Sequence, residues 1–339
     1  MSKNNFSHAV TTYLAQYLPG QRGVSPNTIR SYRDTLVLLL RYARDAAGIS
    51  PEQMDWSTVN PELVEGFLHW LEQDRRSAVS TRNQRLAALH AFCRYAMVEQ
   101  PEQHETCQGI LAISFKKTAT PVLRYLTVDA IRAVLAEPAI QTPSGRRDLA
   151  LLTVLYESGA RVQEVVDLTW EDIHYRLPAT LKLTGKGRKS RIVPLMPGAA
   201  RILERYRADQ AGHTDMVEPS APVFVNQKGK QLSRWGVNHI VEKYVAAART
   251  HQPDLYPPRI SAHVLRHSKA MHLLEANVNL IYIRDLLGHV SVQTTEVYAK
   301  ASPDMKRKAL EKVSEAVLPD GAFTKEEETE LLVWLKDLL

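Results

Sequence analysis

Apolar residues recur at helical spacing through the first third of the chain. Ile29, Tyr32, Leu36, Leu39, Leu40 and Ala43 line one face behind Ser25-Pro26-Asn27-Thr28, whose hydroxyls and proline suit a helix start. Asn60-Pro61-Glu62 opens a second helix with Val64, Phe67, Leu68 and Leu71 on its apolar side. A third begins near Ser80-Thr81 and turns Leu86, Leu89, Phe92, Cys93 and Ala96 inward. Arg82, Asn83 and Arg85 fall on its other side, as in a solvated face. The period breaks over residues 114–125, where Lys116, Lys117 and Pro121 read as an extended basic segment. Helical spacing returns over residues 126–136 and again over 147–158, where it stops at Gly159. Strand alternation is confined to residues 181–184 and 190–195. Gly185-Lys186-Gly187-Arg188-Lys189 joins them, which predicts a hairpin with a glycine-containing turn.

This pattern predicts a mainly α fold with a small antiparallel β-sheet in two domains. The expected divisions are a helical domain over 1–115, a basic linker over 116–125, a second domain over 126–310 and a helical tail over 311–339. The tail repeats apolar positions at Leu310, Val313 and Val317, then at Leu331, Leu332, Trp334, Leu335 and Leu338. Such a terminal helix needs a surface to bury on, in its own domain or on a neighbouring protomer.

A length of 339 residues accommodates two domains at roughly 150 residues each. The net charge of +6 and pI near 9.2 favour an anionic partner such as nucleic acid. The surplus is local. Residues 119–300 hold 24 Lys and Arg against 17 Asp and Glu, whereas residues 301–339 hold 6 against 9. An anion-handling site is therefore to be sought between 119 and 300. The two cysteines, Cys93 and Cys107, have neither metal-ligand spacing nor the density of a disulfide scaffold. No apolar run approaches the ~20 residues of a membrane span, and the polar start leads into no signal-peptide core. A cytoplasmic, nucleoid-associated protein with no membrane contact is the expectation.

Cutting a DNA strand without losing its bond energy calls for a nucleophile that keeps the phosphate covalently attached, and a tyrosine can do this. Charge gathering on the non-bridging oxygens calls for arginines, and the leaving 5′-oxygen needs a proton donor. The second domain holds such groups in order. Ser158-Gly159-Ala160-Arg161-Val162-Gln163-Glu164 puts an arginine straight after a glycine turn. Lys186 sits between two glycines of the hairpin turn. His263 and Arg266, three apart, share a helix face. Leu287-Gly288-His289 is followed nine residues on by Tyr298.

The order Arg, Lys, His-x-x-Arg, Gly-His, Tyr resembles the tyrosine recombinase (phage integrase) family, and within it the compact Xer-type and transposon integrases. The local strings around each residue match too, and the resemblance runs from about residue 6 to 310. It implies a helical, SAM-like core-binding domain and a catalytic integrase domain that together clamp duplex DNA. By that resemblance Tyr298 forms a 3′-phosphotyrosyl link and Arg161 and Arg266 hold the non-bridging oxygens. Lys186 protonates the leaving oxygen, His263 and His289 position the phosphate or shuttle protons, and Glu164 orients Arg161. Arg82, Arg85, Lys116, Lys117, Arg188, Lys189 and Lys269 are expected DNA contacts. No cofactor, metal or nucleotide is implied. The expected partners are double-stranded DNA with specific recombination sites and further copies of the chain, as a tetramer on DNA, with room for an accessory protein. The pattern departs from the family at Ala160, where a larger apolar residue is usual, and at Lys269 and Met271.

Taken singly, each residue has a plainer reading: Tyr298 as helix packing, Arg161 as a helix cap, Lys186 as a solvated turn residue, His267 as a structural hydrogen-bonder. Their conjunction at matching intervals outweighs these. Two other functions share the scaffold. A type IB topoisomerase-like enzyme would relax DNA without requiring paired sites, and a binding-only protein would have lost members of the set.

Overall fold

In the computed structural model, residues 5–118, 123–185, 187, 189–211, 217–257, 260–289, 291 and 293–301 are described. The amphipathic tail stretches, Lys186 and Arg188 lie outside them. The chain divides into two units, Met1–Pro121 and Val122–Leu339, each with its own core.

The first unit is helical. Helix α1 (Asn5–Thr12) runs into a π-helical segment, Tyr13–Gln21, which the spacing of the sequence does not announce. Helix α2 (Pro26–Asp45) starts where Ser25 accepts a hydrogen bond from the Thr28 amide, with Pro26 in the first turn. Asn60 caps α3 (Pro61–Gln73) in the same way through the Leu63 amide at 2.8 Å. Helices α4 (Val79–Glu99) and α5 (His104–Leu111) complete the unit. Phe6, Trp56 and Phe92 pack edge-on and stacked at its centre, beside the buried free thiols of Cys93 and Cys107.

The start of α4 is arranged differently from a solvated face. Arg82 is only 6% exposed, and its Nη1 donates to the Ser114 carbonyl and to Asn83. Asn83 in turn bonds both the amide and the carbonyl of Lys116. The polar side of this helix therefore fastens the segment that follows α5. Arg85 lies half-buried and donates to the Ser31 carbonyl and the Thr35 hydroxyl on α2.

The second unit contains α6 (Val128–Ala136), α7 (Pro143–Ser158), the short α8 (Val162–Val166), a sheet, and α9 (Pro197–Ala211) through α13. Helix α7 begins four residues before its apolar run, because Thr142 caps it through the Gly145 amide. The sheet has three antiparallel strands, β1 (Ile173–His174), β2 (Thr180–Thr184) and β3 (Ser190–Pro194), in that order. Leu181 pairs with Val193 and Leu183 with Arg191. Strand β1, two residues long, is too short to show alternation. Helices α10 (Arg234–His251), α11 (Ala262–Glu275), α12 (Leu280–Leu287) and α13 (Gln293–Ala301) follow. Ala270, Met271, Leu274, Ile283, Leu287 and Tyr298 form a small separate core where α11, α12 and α13 meet.

Candidate active site

Two left-handed glycines shape the site. Gly159 ends α7 with φ +56°, and a side chain there would meet Leu287 Cδ2 at 2.7 Å. Gly288 ends α12 with φ +62°, and a side chain there would meet Arg191 at 2.9 Å. The left-handed backbone favours glycine at both places, and a side chain there would also have to displace the tip of Leu287 or of Arg191. The first turn delivers Arg161 to the start of α8. The second leaves the last carbonyls of α12 open.

Three guanidiniums fill that opening. Arg191 Nε donates to the Leu286 carbonyl at 2.7 Å, Arg266 Nη2 to Leu287 at 2.6 Å, and Arg161 Nη2 to Gly288 at 3.2 Å. Successive carbonyls at a helix C-terminus carry the negative end of its dipole, so cations are favoured there. Arg266, 2% exposed, also donates to the Gly159 carbonyl at 2.6 Å. Its fork thus spans the ends of α7 and α12. Burial, and next the neighbouring Arg161, bring it down to about 10.

Glu164 is the carboxylate between the other two arginines. Its oxygens accept from Arg191 Nη1 and Nη2 at 3.0 and 2.8 Å, from Arg161 Nη1 at 2.9 Å, and from the Arg161 amide at 2.8 Å. Burial pushes its pKa up, but the Arg191 and Arg161 bonds outweigh this and hold it at about 2. Gly185, one residue before Lys186, lies so close that a side chain there would meet Glu164 Oε1 at 2.8 Å. Glu164 is thereby in contact with α8, β3 and the entry to the hairpin turn. Among the described residues, three guanidiniums against one carboxylate leave this part of the site cationic.

Tyr298, on α13, is 3% exposed, and its hydroxyl is 2.9 Å from His267 Nδ1. The His289 ring lies parallel to it with centroids 6.3 Å apart, and His289 Nδ1 bonds Thr295 Oγ1. His263, one turn before His267, stands edge-on to it at 4.7 Å. Burial raises the Tyr298 phenol above its ordinary value, against the opposing pull of Arg266 and Arg161. Burial also lowers all three histidines. His267 falls to about 4 with help from His263 and Arg266, and His289 to about 4 with help from Arg266 and Arg161.

The structure thus brings Arg161, Glu164, His263, Arg266, His289 and Tyr298 together. Lys186 and Arg188 lie outside the described residues. The expected DNA contacts are dispersed. Lys117 and Lys189 are exposed, and Lys116 is exposed with an ion pair to Glu72 at 2.7 Å. Lys269 turns to Glu157 at 3.0 Å and lies over the Tyr156 ring. Sequence reasoning missed two members. Arg191 sits on a strand like any solvated cation, and His267 had only its place beside Arg266 as a signal. Among the described residues, no group of three or more His, Cys, Asp or Glu side chains could hold a metal ion. No described helix is long and apolar enough to cross a membrane.

Acid should loosen this unit. His267 and His289 are held below their ordinary 6.5, so their stabilising contribution is complete above pH 6.5. It is lost as pH falls towards 4, and that of Glu164 is lost between its ordinary 4.5 and about 2. The melting temperature should therefore decline from pH 6.5 to 4 and fall further below 4.5. An unchanged melting temperature from pH 7 to 4 would refute this account.

Comparisons with known proteins match residues in both units. The phage integrase family matches residues 124–305, and the phage integrase N-terminal SAM-like domain matches residues 11–100. The y4rC protein of Sinorhizobium fredii, named as an integrase/recombinase, is 37% identical over 304 residues, covering 89% of this chain and 90% of its own. Tyrosine recombinase XerD of Listeria monocytogenes is 31% identical over 285 residues, covering 83% and 90%. A Tn1549 transposon integrase solved with transposon right end DNA shares the fold, with a TM-score of 0.68 at 16% identity, covering 90% of this chain and 99% of that one. Fold and relatives alike are those of two-domain tyrosine recombinases. The chain belongs to the phage integrase family. It is an enzyme of the tyrosine site-specific recombinase type.

Proposed function

We propose that this enzyme cuts and rejoins duplex DNA at specific sites through a 3′-phosphotyrosyl intermediate, for integration, excision or resolution of DNA. The observation that carries the reading is the gathering of Arg161 and Arg266 at the end of α12 beside the Tyr298 hydroxyl. The Tyr298 oxygen bonds to phosphorus while the bond from phosphorus to the 5′-oxygen breaks. Lys186 protonates that oxygen. Attack by a 5′-hydroxyl of the partner strand then releases the tyrosine, so the bond energy is retained and no metal or nucleotide is called for. Arg161 and Arg266 hold the non-bridging oxygens, where negative charge accumulates. His263 and His289 position the phosphate or shuttle protons, and Glu164 keeps Arg161 aimed.

In this reading the two domains close on the duplex, with Lys116, Lys117, Arg188 and Lys189 along the backbone. Arg82, expected there from the sequence, is instead buried and spent on the Ser114 carbonyl and Asn83, and Arg85 is held by Ser31 and Thr35. Four protomers exchange strands in pairs, with residues 311–339 docking on a neighbour. The test is covalent capture. Purified protein is incubated with sheared genomic DNA and denatured, and attached fragments are sequenced beside a Tyr298→Phe control. Fragments sharing one sequence, absent with the variant, are expected. Capture without a shared sequence would favour a relaxing enzyme. Capture by the variant would remove Tyr298 as nucleophile.

A further inference from the structure

Phenolic attack on phosphorus releases a proton, and neither His263 nor His289, the two histidines given a proton-shuttling role above, is hydrogen-bonded to the phenol: His263 stands edge-on to His267 instead. Arginines only donate, and Lys186 is committed to the departing 5′-oxygen. His289 lies parallel to the phenol ring with its Nδ1 engaged by Thr295. The group in contact with the hydroxyl is His267, whose Nδ1 stands 2.9 Å from the Tyr298 oxygen. We propose that His267 is the general base of strand cleavage, taking the Tyr298 proton on Nδ1 as the phenolic oxygen bonds to phosphorus. This rests on Tyr298 being the nucleophile.

The balance closes. The O–H pair of Tyr298 becomes the O–P bond, and the imidazole becomes imidazolium. The P–O5′ pair leaves with the 5′-oxygen, which takes its proton from Lys186. On rejoining, the incoming 5′-hydroxyl gives its proton to the Lys186 amine, and the imidazolium returns a proton to the departing phenolate. One helix, α11, supplies in adjacent positions the arginine for the phosphate and the base for the nucleophile. Acceptance at Nδ1 requires the tautomer protonated on Nε2.

The electrostatics suit a base that is idle until substrate arrives. His267 faces His263 and Arg266 on its own helix, Tyr298 from α13, and His289 from the turn after α12. Burial and then His263 and Arg266 keep the imidazole neutral, while burial keeps the phenol protonated. A phosphate on Arg266 and Arg161 brings negative charge into the same field and lowers the cost of forming imidazolium. Proton transfer is thereby tied to the presence of DNA.

The test uses a synthetic duplex carrying the sequence recovered by covalent capture, nicked so that the released 5′-hydroxyl strand diffuses away. Covalent product is timed for the wild type, His267→Ala, His267→Asn and Tyr298→Phe. Both His267 variants should bind the duplex with near wild-type affinity and cleave roughly 10²–10⁴-fold more slowly. Imidazole in the medium should restore His267→Ala, with more basic imidazoles restoring more. Without imidazole, the rate of this variant should climb with pH through the neutral range, where the wild type is level. Near wild-type cleavage by His267→Asn, which offers a hydrogen bond but no base, would overturn the proposal. So would a slow His267→Ala with neither imidazole rescue nor a changed pH profile. If His267→Ala does not fold, His267→Asn decides by its rate and pH profile. Covalent product from Tyr298→Phe would instead overturn the reading of the nucleophile.

Discussion

Replacing Glu164 by alanine should cost about 3–5 kcal/mol of folding stability, the usual consequence of removing one partner from a buried charged pair. The carboxylate is 3% exposed and answers both guanidinium nitrogens of Arg191 together with the side chain and amide of Arg161. Its loss strands a largely buried Arg191 and frees the hairpin from α8. Chemical denaturation measures the effect. A second arm, Glu164→Leu with Arg191→Met, should recover much of the loss, because an apolar pair of similar volume leaves no uncompensated charge. A loss below about 1 kcal/mol in the single variant would show that the arginines find water or carbonyl oxygens instead.

Arg266→Lys should slow strand cleavage by about 10²–10³-fold, the range for removing one preorganised donor from a developing anion, with duplex affinity changed only a few-fold. The guanidinium fork reaches the Gly159 and Leu287 carbonyls at once, at 2.6 Å each, and still has N–H groups for phosphate oxygens. A single ammonium cannot span both carbonyls. Burial already brings this guanidinium down to about 10, and a lysine in its place would be pushed towards its neutral form. Single-turnover cleavage of a nicked duplex measures the effect, and an unchanged rate would remove Arg266 from the chemistry.

What could be seen in the sequence was what depends on near neighbours. Ser25-Pro26 and Asn60-Pro61 mark helix starts because capping is settled within four residues. Gly159 before Arg161 announces the turn that delivers the arginine, and the spacing of His263 and Arg266 places them on one helix face. What stayed hidden depends on partners far along the chain. Arg191 meets Glu164 across 27 residues, and His267 meets Tyr298 across 31. Arg82 looked solvated because its acceptor, the Ser114 carbonyl, is 32 residues away in a segment with no helical period. Lys269 is likewise drawn to Glu157, 112 residues earlier. The π-helical segment through Tyr17 and Leu18 shifts its residues off a 3.6-residue period, so its apolar side chains show no stripe.

The three guanidiniums that end-cap α12 have a consequence for how the purified enzyme behaves. Without DNA, their counter-field among the described residues is one carboxylate and a row of backbone dipoles. Any small oxyanion in the buffer can claim the same cations, and by mass action it stabilises the folded state by RT ln(1 + [L]/Kd). Melting temperature should therefore depend on which salt is present, rising from chloride to sulfate or inorganic phosphate at equal ionic strength, and much less in an Arg161→Ala protein. Stabilities measured in different buffers would then be comparable only after correction for anion occupancy.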